Sequence, residues 1–310
     1  MWRGALAVVV GLIMTGPAGA GSLPCQLSLA TVLPLTMEPN SGIYSTEAKI
    51  DGRPITLYVD TGDPVTRLPR SAVPDTSRLF ARGEAVGVEG KGVSQERGTV
   101  SGFQLGRLHA DIIADVYSGG KIAHGLLGMS TIGQYDIDFD IPDRELRLFT
   151  ASGECSHPTV LLHGNLFPVA EVTAGSESMA MRVLIPVTVG GKTFTAVVDT
   201  GSAVSSIGLD AAHAIGVSDT MLARDRHVGM MMVGGRTAVP VHQFSQMDIG
   251  DLVFQNPRLL VTKLVGTRDA QVLLGEDFLR NAHLWISHSS NTVVFQVPAA
   301  PSPPLPKGAG

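Results

Sequence analysis

The sequence predicts an all-β protein of two like lobes with a cleft between them. Three observations carry that prediction: a composition rich in glycine and poor in charge, a repeat that lays one half of the chain on the other, and a scarcity of helix signals. Of 310 residues, 36 are glycine, 44% are hydrophobic and only 16% are charged, against about 25% charged in an average soluble domain. An apolar, weakly charged chain of this length can bury the cores of about two domains and is not disordered in bulk. With 23 Lys and Arg against 28 Asp and Glu, the net charge is −5. That balance cannot neutralise a run of phosphates, which excludes a basic nucleic-acid binder. No internal run approaches the roughly 18 apolar residues of a spanning helix, so a polytopic membrane protein is excluded too.

The repeat is the strongest signal. Residues 49–62 (KIDGRPITLYVDTG) align without a gap on 188–201 (TVGGKTFTAVVDTG). Each reads as strand, glycine-containing hairpin turn, apolar strand, then Asp-Thr-Gly. Gly52 falls opposite Gly191, Thr56 opposite Thr195, and Asp60 opposite Asp199. Downstream, Gly90-Lys91-Gly92 ahead of Phe103-Gln104-Leu105-Gly106 answers Gly234-Gly235-Arg236 ahead of Met247-Asp248-Ile249-Gly250. Gly125-Leu126-Leu127-Gly128 then answers Val272-Leu273-Leu274-Gly275. Each unit closes with alternating strands, over 136–149 and 283–295. Helix is expected only over Leu209 to Ile215, stopped by Gly216, with a weaker signal near Ser71.

The N-terminus sets the compartment. Arg3, the apolar stretch Ala5 to Met14 and Ala18-Gly19-Ala20 form a signal peptide over 1–20, the alternative being an uncleaved anchor. The expected organisation is then an N-terminal lobe over 21–150, a connection over 151–180, a C-terminal lobe over 181–297, and a Pro-rich disordered tail over 298–310. The mature chain is expected to be exported, periplasmic or secreted, with no stable membrane span after cleavage. In that setting an even cysteine count favours a bond between Cys25 and Cys155, the alternative being two buried free thiols. The cysteines precede equivalent segments, Leu33-Pro34-Leu35 and Phe167-Pro168-Val169. A bond between them is therefore expected near the pseudo-twofold axis, tying the lobes together. Neither cysteine belongs to a C-x-x-C pair, so zinc and redox catalysis lack local support.

A single Asp-Thr-Gly is an ordinary turn with a capping Asp. Two, each behind an apolar strand and each at the same place in a duplicated unit, bring two carboxylates face to face. Like charges a few ångströms apart do not both ionise, so such a pair holds one proton and titrates as a unit. Its ionised member can deprotonate a water while its protonated member donates to a carbonyl oxygen under attack.

These residues resemble the aspartic proteases, which carry hydrophobic-hydrophobic-Asp-Thr-Gly and a later hydrophobic-hydrophobic-Gly in each lobe. The chain is most similar to retropepsin-like proteins of exported bacterial chains, with two such units fused, over about Thr46 to Phe149 and Leu184 to Phe295. The resemblance implies a bilobal acid-protease-like fold and a catalytic pair, Asp60 and Asp199. It implies cross-axis hydrogen bonds from Thr61 and Thr200, close loop turns at Gly62 and Gly201, and a Ser202 hydroxyl able to donate to Asp199. Leu126-Leu127-Gly128 and Leu273-Leu274-Gly275 would pack beneath the loops. Gly90 and Gly92 in one unit, and Val233, Gly234 and Gly235 in the other, fall where such proteins place a flap over substrate. Neither segment has a flap tyrosine.

One departure stands out. The first motif continues as Asp63-Pro64, where the family has a small or hydroxyl residue. A third carboxylate there could raise the pKa values of the pair, share a proton with it, or point to solvent. Elsewhere the nine histidines are scattered without ligand spacing, no serine sits in a G-x-S-x-G elbow, and no strand–glycine loop–helix unit could cradle phosphate. The sequence thus points to an aspartic endopeptidase acting on extended polypeptides. It would need no metal or other cofactor, and would be monomeric because it is an internal pseudo-dimer. The alternative is a peptide- or protein-binding module on the same bilobal fold that has lost hydrolysis, as Asp63-Pro64 suggests.

Overall fold

The alternation read from the sequence is realised as strands that bury every second residue. Strand Arg53–Val59 buries Ile55, Leu57 and Val59, and its counterpart Lys192–Val198 buries Phe194, Ala196 and Val198 on the same face, with Val197 buried on the other. Each is reached from the preceding strand through a two-residue turn. Asp51 and Gly52 join Tyr44–Ile50 to Arg53–Val59, and Gly190 and Gly191 join Leu184–Val189 to Lys192–Val198. All four turn residues have φ between 48° and 81°, the left-handed conformation that matches a tight turn to the strand twist.

The structure, a computed structural model, describes residues 25–39, 41–86, 92–118, 124–153, 155, 162, 166–170, 182–232, 235–264, 270–280 and 282–296. The expected signal peptide and Pro-rich tail lie outside these residues. Among the described residues the chain is nearly all β, arranged as three sheets. An eight-stranded sheet holds the first unit from Thr36–Met37 to Gly125–Leu127, and a nine-stranded sheet holds the second from Leu184–Val189 to Val272–Leu274. The helix expected near Leu209 spans Leu209–Ala214 and ends at Gly216, whose φ is +90°. The weaker signal near Ser71 is a single 3-10 turn, Arg70–Ala72.

The third sheet joins the lobes. Its order is Gln26–Pro34, Glu145–Ser152, Asp136–Asp140, His283–Ser287, Thr292–Gln296 and Leu166–Ala170. The central pair is contributed by both units, with Ile137 opposite Ile286 and Phe139 opposite Leu284. One continuous core runs from Leu33 and Leu57 in the first lobe, through Ile137 and Ile286, to Val198 and Leu274 in the second. The connection between the lobes is more than a linker, because it supplies the strand Leu166–Ala170. That strand lies at the sheet edge, the place in a sheet where a proline such as Pro168 is tolerated.

Cys25 and Cys155 are bonded, with Cα atoms 4.6 Å apart. The expectation that this bond ties the lobes across the axis is not met. Strand Gln26–Pro34 pairs antiparallel with Glu145–Ser152, with Gln26 opposite Ser152. That register brings the two cysteines together just beyond the end of the same hairpin-like pair. The disulfide therefore fastens an edge strand within the first lobe, and the central strands hold the lobes to each other.

Candidate active site

Asp60 and Asp199 stand just past the ends of the two strands that the repeat makes equivalent. Arg53–Val59 runs parallel to Gly125–Leu127, and Lys192–Val198 runs parallel to Val272–Leu274. The Asp60 amide donates to the Leu127 carbonyl at 3.0 Å, and the Asp199 amide to the Leu274 carbonyl at 2.9 Å. Behind these loops the Gly128 amide donates to Thr66 Oγ1 (3.1 Å) and the Gly275 amide to Ser205 Oγ (2.8 Å). Residues from both hydrophobic-hydrophobic-Gly segments thus lie directly beneath the Asp-Thr-Gly loops.

The two loops clasp each other across the axis. Thr61 Oγ1 donates to the Val198 carbonyl (2.6 Å) and accepts from the Thr200 amide (3.1 Å). Thr200 Oγ1 donates to the Val59 carbonyl (2.8 Å) and accepts from the Thr61 amide (3.2 Å). Both threonines are buried. The glycines that follow lie against the opposite carboxylate: a Cβ on Gly62 would come within 2.3 Å of Asp199 Cγ, and one on Gly201 within 2.3 Å of Asp60 Cγ. Only glycine lets the loops approach this closely.

Asp60 and Asp199 lie deep among protein atoms, each keeping some surface open, and each carboxyl sits against the glycine of the other motif, close enough for the two to influence one another's ionisation. Burial raises both pKa values above the ordinary carboxylate range. The Asp199 and Asp63 charges push Asp60 further up. Around Asp199, the Gly201 amide (2.9 Å) and the Arg182 guanidinium favour the ionised form. The pair therefore holds a proton through the mildly acidic range, and its surroundings favour that proton on Asp60.

Asp63 neither shares this proton nor points to solvent. Its amide donates to Asp60 Oδ1 (2.8 Å), its Oδ1 accepts from the Val65 amide (3.0 Å), and Arg67 takes both its oxygens through Nε and Nη2. Ser202 also departs from expectation. Its hydroxyl donates to the Val204 carbonyl at 3.0 Å rather than to Asp199, because a carbonyl two residues on is within easy reach of a serine in a turn. Of the expected flap residues, Gly92 pairs with Val86 and Gly235 pairs with Met232, each closing a long hairpin. Gly90, Val233 and Gly234 lie outside the described residues.

Three charged residues near the pair belong to no motif in the sequence. Arg67 is one. Arg182, partly buried, lies within Coulombic reach of Asp63, Asp199 and Asp60, and burial lowers its pKa. Glu276, next after Gly275, is 0% exposed, and neither of its carboxyl oxygens has a hydrogen-bond partner among the described residues. Burial pushes its pKa up to about 8, with Arg280 opposing and Asp199 adding to the rise, so Glu276 is neutral at neutral pH. A signal for two of them was present in the repeat, since Arg182 aligns with Ile43 and Glu276 with Met129.

Two copies of one β lobe, each lending a carboxylate to a shared site on a pseudo-twofold axis, define a bilobal protein of the acid-protease class. Residues 46–131 and 185–278 match the model of the aspartyl protease family. The chain belongs to that family. No curated protein matches it.

Proposed function

We propose that the protein is an aspartic endopeptidase that hydrolyses extended polypeptides in the cleft between its lobes. The observation that carries this reading is the apposition of Asp60 and Asp199, each against the glycine of the other motif, between two loops locked by Thr61 and Thr200. Asp199, the member favoured as ionised, takes a proton from a water as its oxygen attacks the peptide carbonyl carbon. Asp60 gives its proton to the carbonyl oxygen, producing a tetrahedral diol. Collapse of the diol returns a proton to the pair, protonates the leaving nitrogen and breaks the C–N bond. Rigid strands and buried hydroxyls hold both carboxyls in place before substrate arrives, which lowers the reorganisation required. An extended chain suits a cleft bordered by two long hairpins, Arg78–Val86 with Gly92–Leu105 and Arg226–Met232 with Gly235–Gln243.

The binding-module alternative rested on Asp63-Pro64. Arg67 takes up the Asp63 carboxylate in a two-point hydrogen bond, which removes the main reason to expect a disabled pair. Export to an oxidising compartment fits the bonded cysteines, and no helix among the described residues is long and apolar enough to cross a membrane. The test is incubation of the mature protein with a mixed peptide library between pH 3 and 7, beside Asp60→Asn and Asp199→Asn. Cleavage by the wild type that is lost in both variants supports the mechanism. Cleavage that survives either substitution overturns it, and binding without cleavage at any pH returns the function to the binding module.

A further inference from the structure

The wall of the first lobe beside Asp60 is charged, in a row set by strand register. Arg67 stands opposite Asp115 in the parallel pair Thr66–Pro69 and Leu108–Tyr117, and Asp115 stands opposite Arg97 in the antiparallel pair with Gly92–Leu105. Neighbours of opposite parity on these strands, Leu68, Ala114 and Val116, are buried in the core, so the row occupies the other face of the sheet. It begins at the catalytic loop, where Arg67 holds Asp63 and Asp63 donates to Asp60. It ends on the hairpin whose turn is the expected flap.

The signs within the row are layered. Its anions lie beneath: the side chains of Asp115 and Asp63 are 2% and 13% exposed. Its cations lie outward, Arg67 at 21% and Arg97 at 45%. Asp115 is fully engaged, accepting from Arg97 Nε (2.7 Å), Arg97 Nη2 (3.0 Å) and Gln95 Nε2 (2.8 Å), with Arg67 Nη1 at 3.5 Å. A basic substrate side chain meets no open acceptor there. Arg97 keeps Nη1, which donates to no protein group among the described residues, as an outward donor on a cation that Asp115 fixes in orientation.

We infer that this row is a subsite for an acidic side chain of the extended peptide, with Arg97 as its specificity-determining residue. The inference rests on the peptide-binding cleft of the proposed function. An aspartic peptidase whose wall here was apolar would favour apolar side chains; a row of paired guanidiniums favours carboxylates and rejects lysine.

The experiment uses a cleaved peptide and its relatives carrying Glu, Gln, Leu or Lys in turn at each of the three positions on either side of the bond. Wild type, Arg97→Met and Arg97→Glu are compared. At one of these positions Glu should exceed Leu by roughly three- to tenfold in kcat/KM, mainly through KM, as expected for a partly exposed charge pair. Arg97→Met should abolish that preference while retaining cleavage of the Leu peptide, and Arg97→Glu should transfer it to Lys. Equal use of Glu and Leu at every position, or a Glu preference unchanged in Arg97→Met, overturns the inference. The same peptides, fluorescently labelled, are titrated onto Asp199→Asn with and without Arg97→Met. If the wild type cleaves nothing yet Glu peptides bind more tightly in an Arg97-dependent way, the subsite stands and the peptidase reading falls. Cleavage without any Glu preference leaves the peptidase and removes the subsite. Absence of both cleavage and Arg97-dependent binding removes both.

Discussion

Replacing Glu276 with Gln should make the protein gain stability on the wild type as the pH rises from acid to neutral. The carboxyl is fully buried, neither oxygen has a partner among the described residues, and the groups in electrostatic contact with it are Arg280, Asp199, Asp277 and Tyr44. Its pKa rises from 4.5 to about 8 on folding. Between those values the folded chain retains a proton that the unfolded chain releases, so stability falls as pH rises through this window. Each pH unit corresponds to about 1.4 kcal/mol. By pH 7 the accumulated loss is about 3 kcal/mol, a large share of the stability of an ordinary domain.

Glutamine keeps the shape and removes the titration. Any fixed cost of burying its amide is independent of pH, so the informative quantity is the change in the difference between variant and wild type. Urea midpoints measured from pH 4.5 to 9 supply it, provided the slope of unfolding is unchanged. The variant should gain about 3 kcal/mol on the wild type between pH 4.5 and 7, and the gain should level off above about pH 8. Asp60 and Asp199 titrate in both proteins and largely cancel. Glu276→Met, which copies the residue at the equivalent position Met129, should follow the same trend without a buried amide. Curves that stay parallel from pH 5 to 8 would refute the reasoning, because Glu276 would then be ionised when folded.

Gly62→Ala or Gly201→Ala places a Cβ within 2.3 Å of the opposite carboxyl carbon; peptide hydrolysis should fall by about a hundredfold or more while circular dichroism is retained, and full activity would show that the loops are not so closely apposed. Thr61→Val or Thr200→Val deletes a hydroxyl that donates to the other lobe's strand and accepts from the other loop's amide. Each should lower unfolding stability by about 1–3 kcal/mol, and unchanged midpoints in both would mean that the clasp is dispensable. Cys25→Ser opens a link between residues 130 apart in sequence and should cost about 2–5 kcal/mol in the same assay, with equal midpoints counting against a stabilising bond.

What could be read in advance follows from what is local. The turns at Asp51-Gly52 and Gly190-Gly191, the alternation leading to Asp60 and Asp199, and the stop at Gly216 are each encoded in a few adjacent residues. The duplication then placed the carboxylates opposite each other without any tertiary knowledge. Features that depend on strand register were not legible. The even cysteine count pointed to a bond, but only the pairing of Gln26 with Ser152 shows which strands it joins. Arg67 is four residues from Asp63 and gave no helix-like signal, and its other acidic neighbour, Asp115, lies on a distant strand. Leu166–Ala170 is five residues long with a central proline, too little to announce a strand in a segment read as a connection.

The departures from symmetry explain why a fused duplication differs from two separate copies. In the alignment of the units Asp63 answers Ser202, Ile43 answers Arg182, and Met129 answers Glu276. In a homodimer of single lobes each of these residues would appear twice around one pair of carboxylates. A pair of first lobes would set two Asp63 beside the carboxylates, while a pair of second lobes would bring two Arg182 and two buried Glu276 to them. In one chain each charge is placed once. Asp63 raises both aspartates and a backbone amide donates to each, but the Arg182 guanidinium favours the ionised form of Asp199, and Asp60 is held the higher of the two. Two aspartates in matched backbone settings thereby become chemically unequal before any substrate binds. A mechanism that needs one acid and one base can draw on that inequality instead of relying on the proton to settle by chance on either oxygen.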